Sequence, residues 1–329
     1  MLAARLYGPK NLRVEEVATP RPPSGWVLIK TIAVGICGTD KAFYTGRYKL
    51  FKTPLIPGHE VVGTIMEGPQ ELIGKIVVSE INFSCGTCDF CRHGLYTHCP
   101  NKKTLGIDFD GGMAEYFIAP TTALHSVEGL DPVVAVEVEP LAALLNMLEL
   151  LPPNPSSKVA VIGTGNLAYL VVQLLRDYVS KLYLIARRDS PKVKYFDGLV
   201  DEVLYVDEVL RHLENRMMQG LGIDMAIEVS GDPNALDLAI AIVRPRGVVH
   251  LKSTPGQQAL VSTTVAVVKE VTIVCSRCGT SRHFRNAIEL LKRGRVKPLI
   301  THIVRGIERA KEAFELSLRR EEIKVVLMI

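Results

Sequence analysis

Hydrophobic positions follow two different patterns along the chain. Before residue 130 they form short runs rich in β-branched residues, separated by Gly and Pro, as at residues 27–29, 60–65 and 75–78. Runs of this kind are typical of short strands. We therefore expect a small barrel or rolled sheet in the first part of the chain.

The pattern changes at residue 139. A helical run of leucines over 139–151 ends at a cluster of prolines, and residues 158–162 then form a continuous apolar run. Such a run is expected of a parallel strand that is buried on both faces. Further strands are expected at 181–186, 203–206, 225–229, 248–251 and 272–275, with helices between most of them. This alternation predicts a doubly wound α/β domain. The pattern after it predicts helices at 284–293 and 308–318 and a strand at 324–329.

The composition is that of an ordinary globular protein. At 329 residues the chain is long enough for about two domains, and 47% hydrophobic residues are enough to form a sizeable core. A formal net charge of +4 gives no reason to expect binding to nucleic acid or to a membrane. Neither a signal peptide nor an apolar stretch of membrane-spanning length is visible, so we expect a cytoplasmic location.

Four of the seven cysteines lie close together in the sequence. They are Cys85, Cys88, Cys91 and Cys99. In a cytosolic chain this spacing indicates metal binding before disulfides, and four thiolates close a tetrahedral shell around zinc. Because no open position would remain, the predicted zinc site is structural. Free or disulfide-linked thiols, or iron in place of zinc, are the alternatives.

A glycine-rich loop joins the first α/β strand to the helix after it. In that setting the first glycine permits a tight turn and the second lets a pyrophosphate approach the backbone. The start of the helix offers free N–H groups to phosphate. We therefore expect the loop to bind a dinucleotide, and Ser230 and Ser253, at the ends of later strands, to contact its ribose or nicotinamide. The loop residues are Gly163, Thr164, Gly165, Asn166, Leu167 and Ala168.

The end of the second α/β strand indicates which dinucleotide binds. NAD-binding folds usually have an acidic residue there, which holds the ribose 2′-hydroxyl. Here Arg187 stands at that position and Arg188 follows it. Guanidinium groups suit a 2′-phosphate, which a carboxylate would repel, so the sequence favours NADP(H). In the alternative, both arginines belong to a solvated turn and Asp189 holds the 2′-hydroxyl of NAD(H).

Motifs along essentially the whole chain resemble the zinc-containing medium-chain dehydrogenase/reductase family, in particular its polyol, glucose and threonine dehydrogenase-like branch. The resemblance implies a GroES-like catalytic domain formed by residues 1–140 and 276–329, with a zinc lobe at about 85–99. It implies a Rossmann nucleotide-binding domain at 141–275 and a homodimer or homotetramer. Besides the cysteine cluster and the glycine-rich loop, the matching segments are 35–40, 57–63, 111–116, 139–141 and 323–327.

The resemblance also implies a second, catalytic zinc held by Cys37 and His59. Taken alone these two residues are a weak signal, because a single histidine is more often packed in a core. Glu60 matches the acidic residue that ligates or approaches the metal. Glu139 matches a glutamate close to the zinc in polyol- and threonine-dehydrogenase-like members; its alternative is a carboxylate favoured at the start of a helix. Which of the two glutamates ligates the zinc directly stays open.

The resemblance also implies that Thr39 takes part in proton transfer, because it matches the hydroxyl residue beside the reacting oxygen. Many members continue the relay through a histidine, which would fall at Ala42 or Phe43 here. The relay is therefore altered, and Tyr44, ribose hydroxyls and water are the candidates to complete it. Asp40 is expected to orient the Cys37 loop.

Together these features predict a zinc-dependent oxidoreductase that transfers a hydride between a secondary alcohol, polyol or sugar and NADP(H). One alternative is an NAD-dependent threonine dehydrogenase-like enzyme, which would normally have an acidic residue in place of Arg187. Another is a non-catalytic, zinc-stabilised nucleotide sensor, against which the intact Cys37, His59 and Glu60 argue. The predicted partner is a small alcohol or carbonyl substrate, and the sequence does not identify which one.

Overall fold

The computed structural model describes residues 1–214 and 218–329, which form two compact units. The first unit comprises Met1–Ala143, Cys278–Gly294 and Ile300–Ile329, and the second comprises Leu144–Arg277 and Arg295–Leu299. The adjacent residues Met217 and Met218 predict packing within a helix, and Met217 lies outside the described residues. Met218 itself lies exposed in a turn, so for this residue the prediction is wrong.

The strands and helices of the described residues are numbered in chain order. The strands are β1 Leu2–Leu6, β2 Leu12–Glu16, β3 Trp26–Gly35, β4 Glu60–Glu67, β5 Ile76–Ser79, β6 Asn82–Phe83, β7 Lys103–Thr104, β8 Tyr116–Pro120, β9 Leu124–Ser126, β10 Lys158–Ile162, β11 Lys181–Ala186, β12 Glu202–Tyr205, β13 Ile223–Glu228, β14 Val243–Leu251, β15 Thr272–Cys275, β16 Ile300–Arg305 and β17 Lys324–Met328. The helices are α1 Gly38–Thr45, α2 Asp89–Arg92, α3 Pro132–Ala135, α4 Val138–Leu150, α5 Asn166–Leu175, α6 Val206–Leu213, α7 Ala235–Ile242, α8 Thr263–Val268, α9 Ser281–Lys292 and α10 Ala310–Ser317.

The first unit is built around the long strand β3. This strand pairs antiparallel with β4, with β8 and with β17, in a sheet of order β16-β17-β3-β4-β5-β9. Its residues alternate between buried and partly exposed positions along much of its length, as expected for a strand with one face on the core. The buried side chains Val27, Ile29 and Val34 belong to the apolar cluster of this unit.

The second unit is a parallel sheet with the order β12-β11-β10-β13-β14-β15. This order is that of a doubly wound Rossmann sheet, in which the strand order reverses between the first strand, β10, and its neighbour β13. Ligands bind such sheets at the carboxyl ends of the strands beside this reversal. The α/β fold predicted from the alternating pattern is confirmed. Among the described residues, no helix is both long and apolar enough to cross a membrane.

Candidate functional site

The pairing of β3 with β4 brings three potential metal ligands together. Cys37 follows the end of β3, His59 directly precedes β4 and Glu60 opens that strand, opposite Gly35 of β3. One ligand atom from each of Cys37, His59 and Glu60 lies within 4.8 Å of the others. His59 and Glu60 are buried and Cys37 is partly buried. The structure thus brings together three residues that sequence reasoning had selected for one metal ion.

Asp40 fixes the loop that carries Cys37. One oxygen of its carboxylate accepts the backbone N–H of Cys37 at 3.0 Å, and the other accepts the N–H of Gly58 at 3.4 Å. The second oxygen also lies 3.8 Å from Nδ1 of His59. A fully buried carboxylate with these contacts holds both ligand loops in place, which agrees with the orienting role expected for it.

The electrostatics of the cluster favour a bound cation. Burial raises the pKa of the Cys37 thiol, and the nearby Glu60 carboxylate adds to this effect. Burial alone would lower the pKa of His59, but the negative charges of Asp40 and Cys37 outweigh it and raise that pKa well above its ordinary value. The Nδ1 atom of His59 is buried and has no hydrogen-bond partner among the described residues. Soft and imidazole ligands in a negative, enclosed setting fit zinc.

Two charged residues beside this cluster were not selected from the sequence. Nζ of Lys324 lies 2.5 Å from a carboxylate oxygen of Glu60 and 3.5 Å from one of Glu137, and all three side chains are almost fully buried. A side chain at Gly35 would collide with the Glu60 carboxylate, since its Cβ would lie 2.5 Å from Oε2. Gly35 and Lys324 together therefore set the position of Glu60. The only sequence signal was a lysine at the start of a strand in the terminal segment 323–327.

The remaining residues proposed for the catalytic site have different surroundings. Glu139 lies in the first turn of α4, is 9% exposed and adds to the negative charge that raises the pKa of His59. It does not belong to the cluster of described residues within 4.8 Å of one another. Thr39 is partly buried in the first turn of α1. The hydroxyl of Tyr44 donates to Glu315 at 2.5 Å, and its ring packs on Phe314. The ring of Tyr44 is thus packed in the core and its hydroxyl is already hydrogen-bonded, so Tyr44 is a poor candidate to complete the proton relay.

The four clustered cysteines form a second potential metal site. Their sulfur atoms lie within 4.8 Å of one another, with separations of 3.5 Å between Cys88 and Cys91, 3.7 Å between Cys88 and Cys99, and 3.5 Å between Cys99 and Cys85. A tetrahedral zinc with bonds of about 2.3 Å would place its sulfurs roughly 3.8 Å apart. Hydrogen bonds from the backbone and side chain of Thr87 lower the pKa of Cys85 to about 5. A backbone hydrogen bond from Cys91 would lower the pKa of Cys88, but burial and the neighbouring sulfurs outweigh it and raise that pKa to about 11. The arrangement therefore fits a closed shell around zinc.

The glycine-rich loop lies between β10 and α5 as expected. Gly163 has a φ of +119°, and a Cβ there would lie 2.8 Å from Cα of Ser230, so only glycine fits this turn. A Cβ at Gly165 would meet nothing within 4 Å, which leaves open space beside the loop backbone. The hydroxyl of Thr164 is hydrogen-bonded to that of Ser190 at 3.0 Å, and Ala168 is fully buried. An open cradle at the start of a helix fits a pyrophosphate group.

The two arginines after β11 differ in their contacts. The guanidinium of Arg188 lies 3.2 Å from Asp207 and 2.5 Å from Glu208, and stacks 4.5 Å from the ring centroid of Tyr205. Arg187 is exposed, and no ion pair joins it to another residue in the described part of the chain. Both guanidinium groups are charged, but only that of Arg187 has no carboxylate partner among the described residues to offset its charge.

Ser230 lies at the expected strand end, but its hydroxyl is already used within the protein. It donates to Oε1 of Glu228 at 2.6 Å and accepts the backbone N–H of Asp232 at 3.0 Å. The hydroxyl of Ser253 donates to the other carboxylate oxygen of Glu228. The expected contact of Ser230 with the cofactor stays a prediction, and it would involve a hydroxyl whose hydrogen is already donated to Glu228. Sequence reasoning missed Glu228 because a single acidic residue at the end of a strand carries no spacing signal.

Comparison with known proteins identifies the family. A model of the alcohol dehydrogenase GroES-like domain matches residues 23–129, and a model of the glucose dehydrogenase C-terminus matches residues 151–329, more than half of the chain. The chain belongs to the zinc-containing medium-chain dehydrogenase/reductase family. The predicted resemblance and the GroES-like and Rossmann fold class are thereby confirmed.

Individual relatives of this family member match along nearly their whole length. An L-threonine 3-dehydrogenase of Pyrococcus abyssi (strain GE5 / Orsay) is 31% identical over 95% of this chain and 94% of its own. A sorbitol dehydrogenase of Halalkalibacterium halodurans is 29% identical over 98% and 96%. The solved structure of a putative zinc-binding dehydrogenase from Sinorhizobium meliloti 1021 bound to NADP has a TM-score of 0.87 and 26% identity, covering 100% of this chain and 99% of that one.

Proposed function

We propose that this protein is a zinc-dependent dehydrogenase that transfers a hydride between a secondary alcohol, polyol or sugar and NADP(H). The observation that carries the proposal is the cluster of Cys37, His59 and Glu60, whose ligand atoms lie within 4.8 Å of one another. Its small number of protein ligands leaves a position for a substrate, whereas the four-cysteine cluster is closed. We accordingly propose two zinc ions per chain, one catalytic and one structural.

The residues of the first cluster divide the work of the reaction. Cys37 and His59 would hold the zinc. Asp40 fixes the positions of their two loops by accepting the backbone N–H groups of Cys37 and Gly58. A zinc ion held there would supply Lewis-acid chemistry, and a bound nicotinamide cofactor would supply the hydride chemistry. Thr39 would pass the proton outward.

The two glutamates have distinct places in this proposal. The pairing of Glu60 with Lys324 keeps that carboxylate from contributing a full negative charge to the metal, so its ligation competes with the ion pair. Glu139 adds negative charge near His59 without belonging to the 4.8 Å cluster. We propose that Glu139 reaches the zinc directly or through a water molecule.

The preference for NADP(H) rests on Arg187, at the end of β11. Its guanidinium is exposed and carries no carboxylate partner among the described residues, and it stands where NAD-binding folds usually have an acidic residue. Gly163, Thr164, Gly165, Asn166, Leu167 and Ala168 would bind the pyrophosphate at the start of α5. The NADP-bound relative from Sinorhizobium meliloti supports this choice.

A second candidate is an NAD-dependent threonine dehydrogenase-like enzyme. It is favoured by the 31% identity to the threonine dehydrogenase of Pyrococcus abyssi over 95% of this chain. Arg187 argues against it, because NAD-binding folds usually have an acidic residue at this position to hold the ribose 2′-hydroxyl. The proposal also retains the cytoplasmic location and the homodimer or homotetramer expected from the sequence.

The experiment is a combined metal and turnover measurement on the purified protein. Zinc per chain is measured by mass spectrometry, and the change in absorbance at 340 nm is followed with NADP⁺ or NAD⁺ against alcohols, polyols, sugars and threonine. We expect two zinc ions per chain and turnover that prefers NADP⁺. Cys37→Ser is the matched variant: it should lose one zinc and the turnover while keeping the other zinc.

Each other outcome contradicts a particular part of the proposal. Turnover of threonine with NAD⁺ alone would favour the second candidate. One zinc per chain without turnover, in a protein that still binds the nucleotide, would show that the Cys37 cluster does not form a working site. In that case the protein would be a zinc-stabilised nucleotide sensor.

A further inference from the structure

Glu228 is a buried carboxylate whose contacts all lie at the carboxyl edge of the parallel sheet. It is the last residue of β13 and is 1% exposed. Oε1 accepts both the backbone N–H of Ser230 at 2.7 Å and the hydroxyl of the same residue at 2.6 Å. Oε2 accepts the hydroxyl of Ser253, which follows β14. One side chain therefore joins the turn after β13 to the turn after β14.

The turn held by Glu228 also contacts the glycine-rich loop. The close approach of Gly163 to Ser230 leaves no room for a side chain, since a Cβ at Gly163 would lie 2.8 Å from Cα of Ser230. The backbone N–H of Val229 donates to the carbonyl of Ile162, at the end of β10. The ends of β10, β13 and β14 are thus connected, and the Glu228 carboxylate lies among them.

These strand ends are the place where a doubly wound sheet binds its ligand. The order of the strands reverses between β10 and β13, and the crevice outside the carboxyl ends at such a reversal receives the dinucleotide. A carboxylate buried away from water is costly unless its oxygens are fully hydrogen-bonded. Packing alone does not require a carboxylate at this position, because an apolar residue could fill the same space. The Glu228 carboxylate instead accepts three hydrogen bonds from two turns, which indicates a role in holding these turns.

We propose that Glu228 is a positioning residue for dinucleotide binding: its hydrogen bonds fix the turns after β13 and β14 in the shape that accepts the cofactor. The inference rests on the proposed nucleotide-dependent function and extends it to a residue that does not itself contact the cofactor. Preorganised turns lower the ordering cost of binding. Loss of the carboxylate should therefore weaken nucleotide affinity while the metal sites stay intact.

The test compares Glu228→Gln with Asp224→Asn, which makes the same chemical change near the other end of the same strand. Asp224 accepts the backbone N–H of Lys158 at 2.8 Å and Nε of Arg244 at 2.6 Å, so it matches Glu228 in bonding a backbone and a side-chain group. The dissociation constants of NADPH and NADH are measured by fluorescence titration, together with zinc content and thermal midpoint. Ser253→Ala removes one of the three Glu228 contacts and serves if Glu228→Gln folds poorly.

We expect Glu228→Gln to raise the dissociation constant of the preferred nucleotide about tenfold or more, which is about 1.4 kcal/mol. Asp224→Asn should stay within about twofold of the wild type, and Ser253→Ala should fall between the two. All three should retain the zinc content of the wild type. Unchanged affinity in Glu228→Gln, or an equal loss in Asp224→Asn, would overturn the positioning role. A wild-type protein that binds neither nucleotide would instead refute the proposed function.

Discussion

Arg187 and Arg188 are neighbours of the same type with different surroundings. Arg188 is held by Asp207 and Glu208 and stacked on Tyr205, whereas Arg187 is exposed and has no carboxylate partner among the described residues. The two carboxylates offset the charge of Arg188, so a 2′-phosphate nearby meets chiefly the guanidinium of Arg187. The sequence could not distinguish the two arginines, because the carboxylate partners of Arg188 lie about twenty residues farther along the chain.

We therefore predict that Arg187→Ala lowers kcat/KM for NADP⁺ by about 10- to 100-fold, as expected for the loss of a charge-assisted hydrogen bond worth about 1.5–3 kcal/mol. The value for NAD⁺ should change by less than about twofold. Arg188→Ala is the matched control and should have the smaller effect on NADP⁺, because its charge is already offset. Steady-state kinetics with both nucleotides measure the difference. An equal loss for both nucleotides in Arg187→Ala would contradict the assignment.

Residues that act through a tertiary contact were the hardest to predict from the sequence. Cys37 and His59 were selected because they belong to matching motifs, and the structure brings them together. Lys324 and Glu228 were missed, since a single charged residue within a strand gives no periodic or spacing signal. Their roles can be inferred only from the folded structure, in which Lys324 is buried beside Glu60 and Glu228 beside Ser253.

Among the elements, strands with continuous apolar runs were predicted best. The predicted bounds of β10, β11 and β15 coincide with those of the structure, because their boundaries are marked by polar residues and turns. β14 begins at Val243, five residues earlier than predicted, since Pro245 and Gly247 interrupt its apolar pattern. β16, at Ile300–Arg305, was not predicted, because half of its residues are polar and it is largely exposed.

The segment predicted as a zinc lobe has little regular structure of its own. Between β6 and β7 it contains the four-residue helix α2 and a short 3-10 turn at Tyr96–His98. Phe90, Leu95 and Tyr96 are largely exposed, so apolar burial contributes little to its stability. The proposed structural zinc would therefore supply most of the folding free energy of this segment.

We predict that Cys91→Ser removes one zinc per chain and lowers the thermal midpoint by on the order of 10 °C. Cys91 is buried in the four-cysteine cluster, whereas Cys275 is exposed at the end of β15 and lies outside both metal-binding groups of the described residues. Cys275→Ser is therefore the control and should leave both quantities unchanged. Zinc analysis and differential scanning calorimetry provide the measurements. Full zinc content in Cys91→Ser would contradict a four-cysteine zinc site.

At the scale of the whole molecule, the parallel sheet ends at an unprotected edge. β15 pairs with β14 on one side, and no described strand pairs with its other side. Ile273 of β15 is 40% exposed, and Val267 and Val268 of the preceding helix are 74% and 60% exposed. Soluble proteins usually protect an edge strand with charges, prolines or a covering element. An apolar edge of this kind is self-complementary about a twofold axis, which is the commonest symmetry of homo-oligomers.

We therefore predict that the protein forms a homodimer, or a tetramer built from such dimers, through the β15 edge. Light scattering should give at least twice the mass of one chain for the wild type. Ile273→Glu should shift the mass towards one chain, because a carboxylate buried at the interface without a partner is unfavourable. Leu210→Glu, at an apolar position that is 52% exposed on α6, is the control and should keep the wild-type mass. A monomeric wild type would refute the predicted oligomer. If the mass of the oligomer is unaffected by Ile273→Glu, the β15 edge contributes nothing to assembly and the interface must lie on another surface.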